Sequence, residues 1–197
     1  MRKLWILGVI GALALLPFAA LADTGGSASA TLKFGSVINT IVTDNWDDLT
    51  VNQDMIENWL NLTADTPVIW GAANHSITVK VQAFTAFNVY ASYDGSSTYI
   101  TLPGDLDDED SFLYLSNGTT DFALPWYPIS TPTNHGLTDA QASTNLTQLT
   151  DWTGSATING EQHSYDVKWD PSEINVDLDA GDSMSLTIYI VVTDPNA

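Results

Sequence analysis

The chain has 197 residues, no cysteine, and 24 acidic against 5 basic side chains, a formal net charge of −19. A surface so negative repels phosphate backbones, which are bound when Lys and Arg displace their counterions, so nucleic acid and anionic lipid are excluded as partners. The missing cysteines exclude disulfides, a thiol nucleophile and attachment of lipid through sulfur, and leave stability to the core alone.

In chain order, Arg2 and Lys3 precede an apolar run from Leu4 to Leu16, and Ala20 and Ala22 stand in an A-x-A arrangement. This is the pattern of a secretory signal peptide, residues 1–22, cut after Ala22. The run is shorter than the roughly 20 residues that a membrane-spanning helix needs. Residues 23–197 suit one domain, with Lys33, Lys80 and Lys168 as its basic residues. The expected product is exported, to the extracellular surface or the periplasm, without a membrane anchor.

Residues 23–42, "DTGGSASATLKFGSVINTIV", open on a Gly-Gly-Ser lead and then alternate through Ala30, Leu32 and Phe34 before Gly35-Ser36 and Val37. An extended arm of this kind pairs within its own sheet or adds to the edge of a neighbouring subunit. In the second case backbone hydrogen bonds and alternate side chains, here Leu32, Phe34 and Val37, hold the subunits together. A strand is expected over residues 31–42.

Farther on, "VNQDMIENWLNLT" from Val51 has Ile56, Trp59 and Leu60 at helical spacing, and helix and strand both stay open. Period two then dominates. Residues 68–70 read as a short strand, and Ile77, Val79, Val81 and Ala83 share one face of another. After a shift near Thr85 the alternation resumes through Phe87, Val89, Ala91 and Tyr93. Residues 98–102 and 112–116 are further strands. Residues 128–152 are polar, Pro-punctuated and aperiodic, which predicts a long surface excursion. Asn159-Gly160 lies between alternating arms and predicts a type I′ hairpin, with Trp169 closing the return strand. A reversal is expected at 179–182, before a β-branched strand that aligns Met184, Leu186, Ile188, Ile190 and Val192. About nine short strands with turn signals between them argue an all-β fold, an antiparallel β-sandwich first and a β-barrel second.

Five carboxylates crowd "GDLDDED", and Asp105, Asp107 and Glu109 alternate as calcium ligands do. An EF-hand would place Gly where Asp110 stands and Glu where Ser116 stands, so the alternatives are a calcium loop of another kind and a solvated charge run. No other cofactor is implied. His75, His135 and His163 have no ligand spacing, no G-x-S-x-G elbow or phosphate loop occurs, and no carboxylate pair stands out for glycoside chemistry. An enzyme is not expected. Trp126, Tyr127 and Trp152 fall in segments that loops would expose, where aromatics beside Asp and Asn make a sugar-binding platform; core packing is the other explanation. Sequons occur at Asn61, Asn74, Asn117 and Asn145, and Asn117-Gly118 equally suits a turn.

The signal peptide, the "ATLKFGSV" first strand, the lack of catalytic motifs and the closing "DAGDSMSLTIYIVV" turn and strand resemble secreted all-β fimbrial and coat-type surface proteins. The resemblance implies an immunoglobulin-like β-sandwich that assembles outside the cell, and it carries over no functional residue. Many such subunits have a disulfide, which this chain lacks. The reading is therefore a secreted structural or adhesive surface protein, a fimbria- or filament-forming subunit assembling through its arm. The alternative is a carbohydrate-binding module that takes a polysaccharide on Trp126, Tyr127 and Trp152, with or without calcium.

Overall fold

The computed structural model describes residues 38–46, 67–69, 75–97, 103–106, 108–131, 136–174 and 183–197, all within the unit Ser36–Ala197. They form strands β1 (Ile38–Trp46), β2 (Val68–Ile69), β3 (His75–Ala83), β4 (Asn88–Ser97), β5 (Leu113–Ser116), β6 (Asp121–Leu124), β7 (Thr147–Gln148), β8 (Thr157–Trp169) and β9 (Met184–Thr193). One helix, α1 (Asp139–Asn145), and two 3-10 turns, Glu109–Ser111 and Pro171–Glu173, complete the described elements.

Alternation decides which face of each strand goes inward. In β3, Ile77, Val79, Val81 and Ala83 are buried, and the residues between them point outward. The alternation does shift after Ala83, because the chain there leaves one sheet for the other: β3 lies in a six-stranded sheet ordered β1-β3-β8-β5-β6 with β2 also on β8, and β4 lies in a three-stranded sheet ordered β7-β4-β9. All the strand pairs are antiparallel. Val79 of β3, Val89 and Tyr93 of β4, Leu115 of β5 and Val167 of β8 belong to one buried cluster, so the two sheets share a core. The expected stripe of β9, from Met184 through Val192, packs against that same cluster.

The excursion at 128–152 is more ordered than its composition suggests. It contains α1 and β7, and Ile129, Ala142 and Leu146 form a second cluster with Tyr90 and Val191 over the outer face of the smaller sheet. The helix start was written in the sequence as Thr138-Asp-Ala-Gln141, a capping box: Thr138 accepts from the Gln141 amide and the Gln141 side chain from the Thr138 amide. Asp139 then ties the helix to the sheet, its Oδ1 accepting from Asn88 Nδ2 at 2.9 Å, Tyr90 Oη at 3.0 Å and Thr193 Oγ1 at 2.5 Å. Burial alone would raise the Asp139 carboxyl, but these three donors outweigh it and hold the group below its usual range. Tyr90, by burial and by the facing carboxylate, is pushed up to about 12.

Asn159-Gly160 does not turn a hairpin. β8 runs straight through it, paired with β3 at Val81↔Glu161 and again at Ala83↔Thr157, so residues 158–160 bulge from the ladder. Gly160 still supplies a positive φ of 87°, and a Cβ there would come within 2.5 Å of Lys80 Cε. Bulge and hairpin share this sequence signature because both need a left-handed residue. The first described strand begins at Ile38 and extends to Trp46, beyond the expected end at Val42. Residues 1–37, the helix-or-strand question after Val51, the strand at 98–102 and the reversal at 179–182 lie outside the described residues.

Asp139→Ala would strand three donors, one of them on the buried Tyr90. Urea unfolding should show a loss of about 1–3 kcal/mol. A loss below about 0.5 kcal/mol, the scale of an ordinary surface change, would mean that Ala142 and Leu146 hold the helix by apolar contact alone.

Candidate functional site

The acidic segment is organised around a 3-10 turn. Asp108 caps it, Oδ1 accepting from the Asp110 amide and Oδ2 from Ser111 Oγ, each at 3.0 Å. From the core below, the hydroxyl of fully buried Tyr93 donates to the Glu109 carbonyl at 2.6 Å. Burial first, then the charges of Glu109, Asp110 and Asp108, push the Tyr93 hydroxyl well up, so it stays a donor. Asp105 sits in the preceding turn, Glu109 opens the 3-10 turn, and Asp107 lies outside the described residues. Among the described residues no three His, Asp or Glu side chains gather as metal ligands.

The three aromatic candidates are half-buried. Trp126 meets Tyr93 edge-on, with centroids 5.4 Å apart and planes at 87°. Its segment is hydrogen-bonded to β4, Tyr93 N donating to Pro125 O and Tyr127 N to Tyr93 O. Tyr127 packs on the second cluster, whereas Trp126 and Trp152 pack on the central one, so the structure does not group the rings into one platform. Trp152 donates from Nε1 to Tyr165 Oη at 2.7 Å and meets Phe87 edge-on at 5.9 Å. Of the sequons, Asn117 is occupied in a turn, its Oδ1 accepting from the Thr119 and Thr120 amides, and Asn145 ends α1.

Around Trp152 stands a polar cluster that no motif announced. His163 lies between two carboxylates, Nδ1 3.2 Å from Asp151 Oδ2 and Nε2 3.0 Å from Glu161 Oε1, with its ring against Trp152 at 4.4 Å. Tyr165 Oη donates to Asp151 Oδ1 at 2.8 Å, and the Thr153 amide and hydroxyl both donate to Glu161. The alternation of Glu161, His163 and Tyr165 on one face of β8 was readable from spacing; the arrival of Asp151 from another segment was not. Both ring nitrogens of His163 are engaged by carboxylates. The arrangement ties the turn at 151–154 onto β8.

Among the described residues, β1 and β9 are the outermost strands of their sheets on one flank, where they approach each other. Register puts Ile38, Thr40 and Val42 on the core face of β1, opposite Ala83, Val81 and Val79. Val79 is fully buried, yet Val42 is 47% exposed. On β9, Met184, Leu186 and Ile188 face the core but are only half-buried, whereas Leu113, Leu115 and Leu124 on β5 and β6 are fully buried. An apolar flank between two strand edges is a place for another strand. Leu32, Phe34 and Val37, the residues expected to serve assembly, lie outside the described residues.

No family model, curated protein or solved structure matches the chain. The functional reading rests on the geometry alone.

Glu161 gives a pH test. Burial would raise its carboxyl, but the Thr153 hydroxyl and amide and the His163 ring outweigh burial and hold it below its usual value. A depressed carboxyl contributes stability that is present above its unfolded value and lost as pH falls through its folded value. Thermal melts should therefore fall as pH drops from about 5 toward 2, and Glu161→Gln should be less stable than the parent at neutral pH with the difference shrinking in acid. Parallel curves for the two proteins would remove Glu161 from the account.

Proposed function

We propose that the chain is an exported structural subunit that assembles with its own copies, the arm at residues 23–37 of one copy completing the β1/β9 flank of the next. The observation that carries this reading is the half-covered core at that flank: Val42 is 47% exposed on the core face of β1, and Met184, Leu186 and Ile188 are half-buried on β9. An arriving strand gains backbone hydrogen bonds from an open edge, and alternate side chains such as Leu32 and Phe34 would cover the exposed apolar residues. In this reading the two sheets are an immunoglobulin-like sandwich short of one strand, and residues 1–22 direct export. The sequence at the edge agrees with the role, since Ile38–Thr43 has no charge, proline or glycine, the devices that ordinarily blunt exposed edges.

Since Ile38–Thr40 belong to β1, the deletion that tests the arm removes residues 23–37 and stops there. The mature chain should run as a ladder of sizes or as filaments by size exclusion with light scattering, and the deletion as a folded monomer. A synthetic peptide of residues 23–37 added to that monomer should raise its Tm by mass action. Assembly unchanged by the deletion would overturn the reading, as would a mature chain that stays monomeric at every concentration.

A further inference from the structure

The outer face of the larger sheet holds the lysine side chains of the described residues. Lys80 and Lys168 are the only Lys or Arg among the described residues, and register places both on this face. Across the strands run the rows Ile41, Lys80, Gln162 and Thr43, Thr78, Ser164, with Ile69 beside Lys168. Lys168 is committed within the chain, its Nζ 2.9 Å from both Asp121 oxygens. Asp166 lies 3.6 Å from His75. Lys80 makes no ion pair among the described residues, and its aliphatic stem lies against Gly160, where a Cβ would meet Lys80 Cε at 2.5 Å. The glycine thus leaves room for the lysine to lie along the sheet, beside Ile41, which is 48% exposed.

A chain with 24 acidic and 5 basic residues repels its copies almost everywhere. We propose that this face is a second self-association surface, in which Lys80 and Ile41 of one copy receive a carboxylate-bearing surface of another. The outer face of the smaller sheet cannot serve in the same way, because α1 and Ile129 already cover it. The partner is a second copy because this chain itself supplies the excess of carboxylates that Lys80, without an ion pair among the described residues, would meet on a face where Lys168 and Asp121 already offset each other. Two different surfaces then touch, so the contact is heterologous, and it extends without limit unless its rotation closes a ring. Contacts of this kind join assembled strings of subunits side by side, whereas the arm joins them end to end.

The test is association of the mature chain at about 20 mM and about 0.5 M salt, conditions that respectively extend and collapse the screening length, read by sedimentation and negative-stain images. Net repulsion opposes association at low salt, so the reading is the gap between parent and Lys80→Glu, which should be widest at about 20 mM salt and close toward about 0.5 M. Lys80→Glu sets a carboxylate against carboxylates and should weaken the low-salt association at least about ten-fold, and Lys80→Arg should keep it. Because Lys80 is on an outer face, an unchanged Tm will show that either variant folds. Single, unbundled filaments of Lys80→Glu would support the inference and leave the arm reading intact. Association of Lys80→Glu equal to that of the parent, or a gap insensitive to salt, would overturn the inference whether or not the arm assembles. Loss of end-to-end filaments on deleting residues 23–37 bears only on the arm.

Discussion

The unequal width of the two sheets is the constraint from which the rest follows. Among the described residues six strands face three across one core, and apolar side chains on the wider sheet need cover beyond the narrower one. On the β5 and β6 side Phe112 and Trp126 add cover, packed as tilted and edge-on rings against Tyr93 of the narrower sheet. On the β1 side the described residues leave the cover incomplete. A core open along one flank is an unstable end for a monomer and a stable seat for a strand from elsewhere, because burial there is worth about 25 cal/mol for each Å² of apolar surface removed from water.

Among the described residues, polar side chains fix the connections between strands. Tyr93 fixes the acidic turn, Asp139 fixes the helix that covers the smaller sheet, and the Asp151–His163–Glu161 cluster fixes the turn carrying Trp152. In each case a carboxylate or carbonyl receives donors from strands distant in sequence, and the charge is met within the protein. This arrangement suits a chain without disulfides, in which short hydrogen-bonded ties take over the locating of loops. In the proposed assembly, the excess of negative charge that remains on the surface restricts where two copies can meet.

Much of the fold was legible because period two is a strong local signal. The alternation in Ile77–Ala83, its shift near Thr85 and its return in Phe87–Tyr93 match β3, the crossing between sheets and β4. Two readings failed for identifiable reasons. Asn159-Gly160 has the chemistry of a left-handed residue, which serves a bulge as well as a turn, and only the pairing of β8 with β3 distinguishes them. Residues 128–152 lack sustained period because α1 has 7 residues and buries chiefly Ala142; the capping box at Thr138 was the clue to weigh. The candidate site was less legible. The exposure of Val42 depends on which strand fails to cover it, and the His163 cluster depends on Asp151 arriving from outside β8, both consequences of tertiary arrangement.

Hydrogen exchange along β9 addresses the central claim most directly, with the mature chain and the chain lacking residues 23–37 compared at the same concentration. The amides of Met184–Val191 that point toward β4 should be protected in both, since that pairing is internal. Those that point away should exchange quickly in the shortened chain and slowly in the mature one, and addition of the arm peptide should restore their protection. Equal exchange of the outward amides in the two chains would contradict the account, because it would mean that no strand from another copy occupies the open flank.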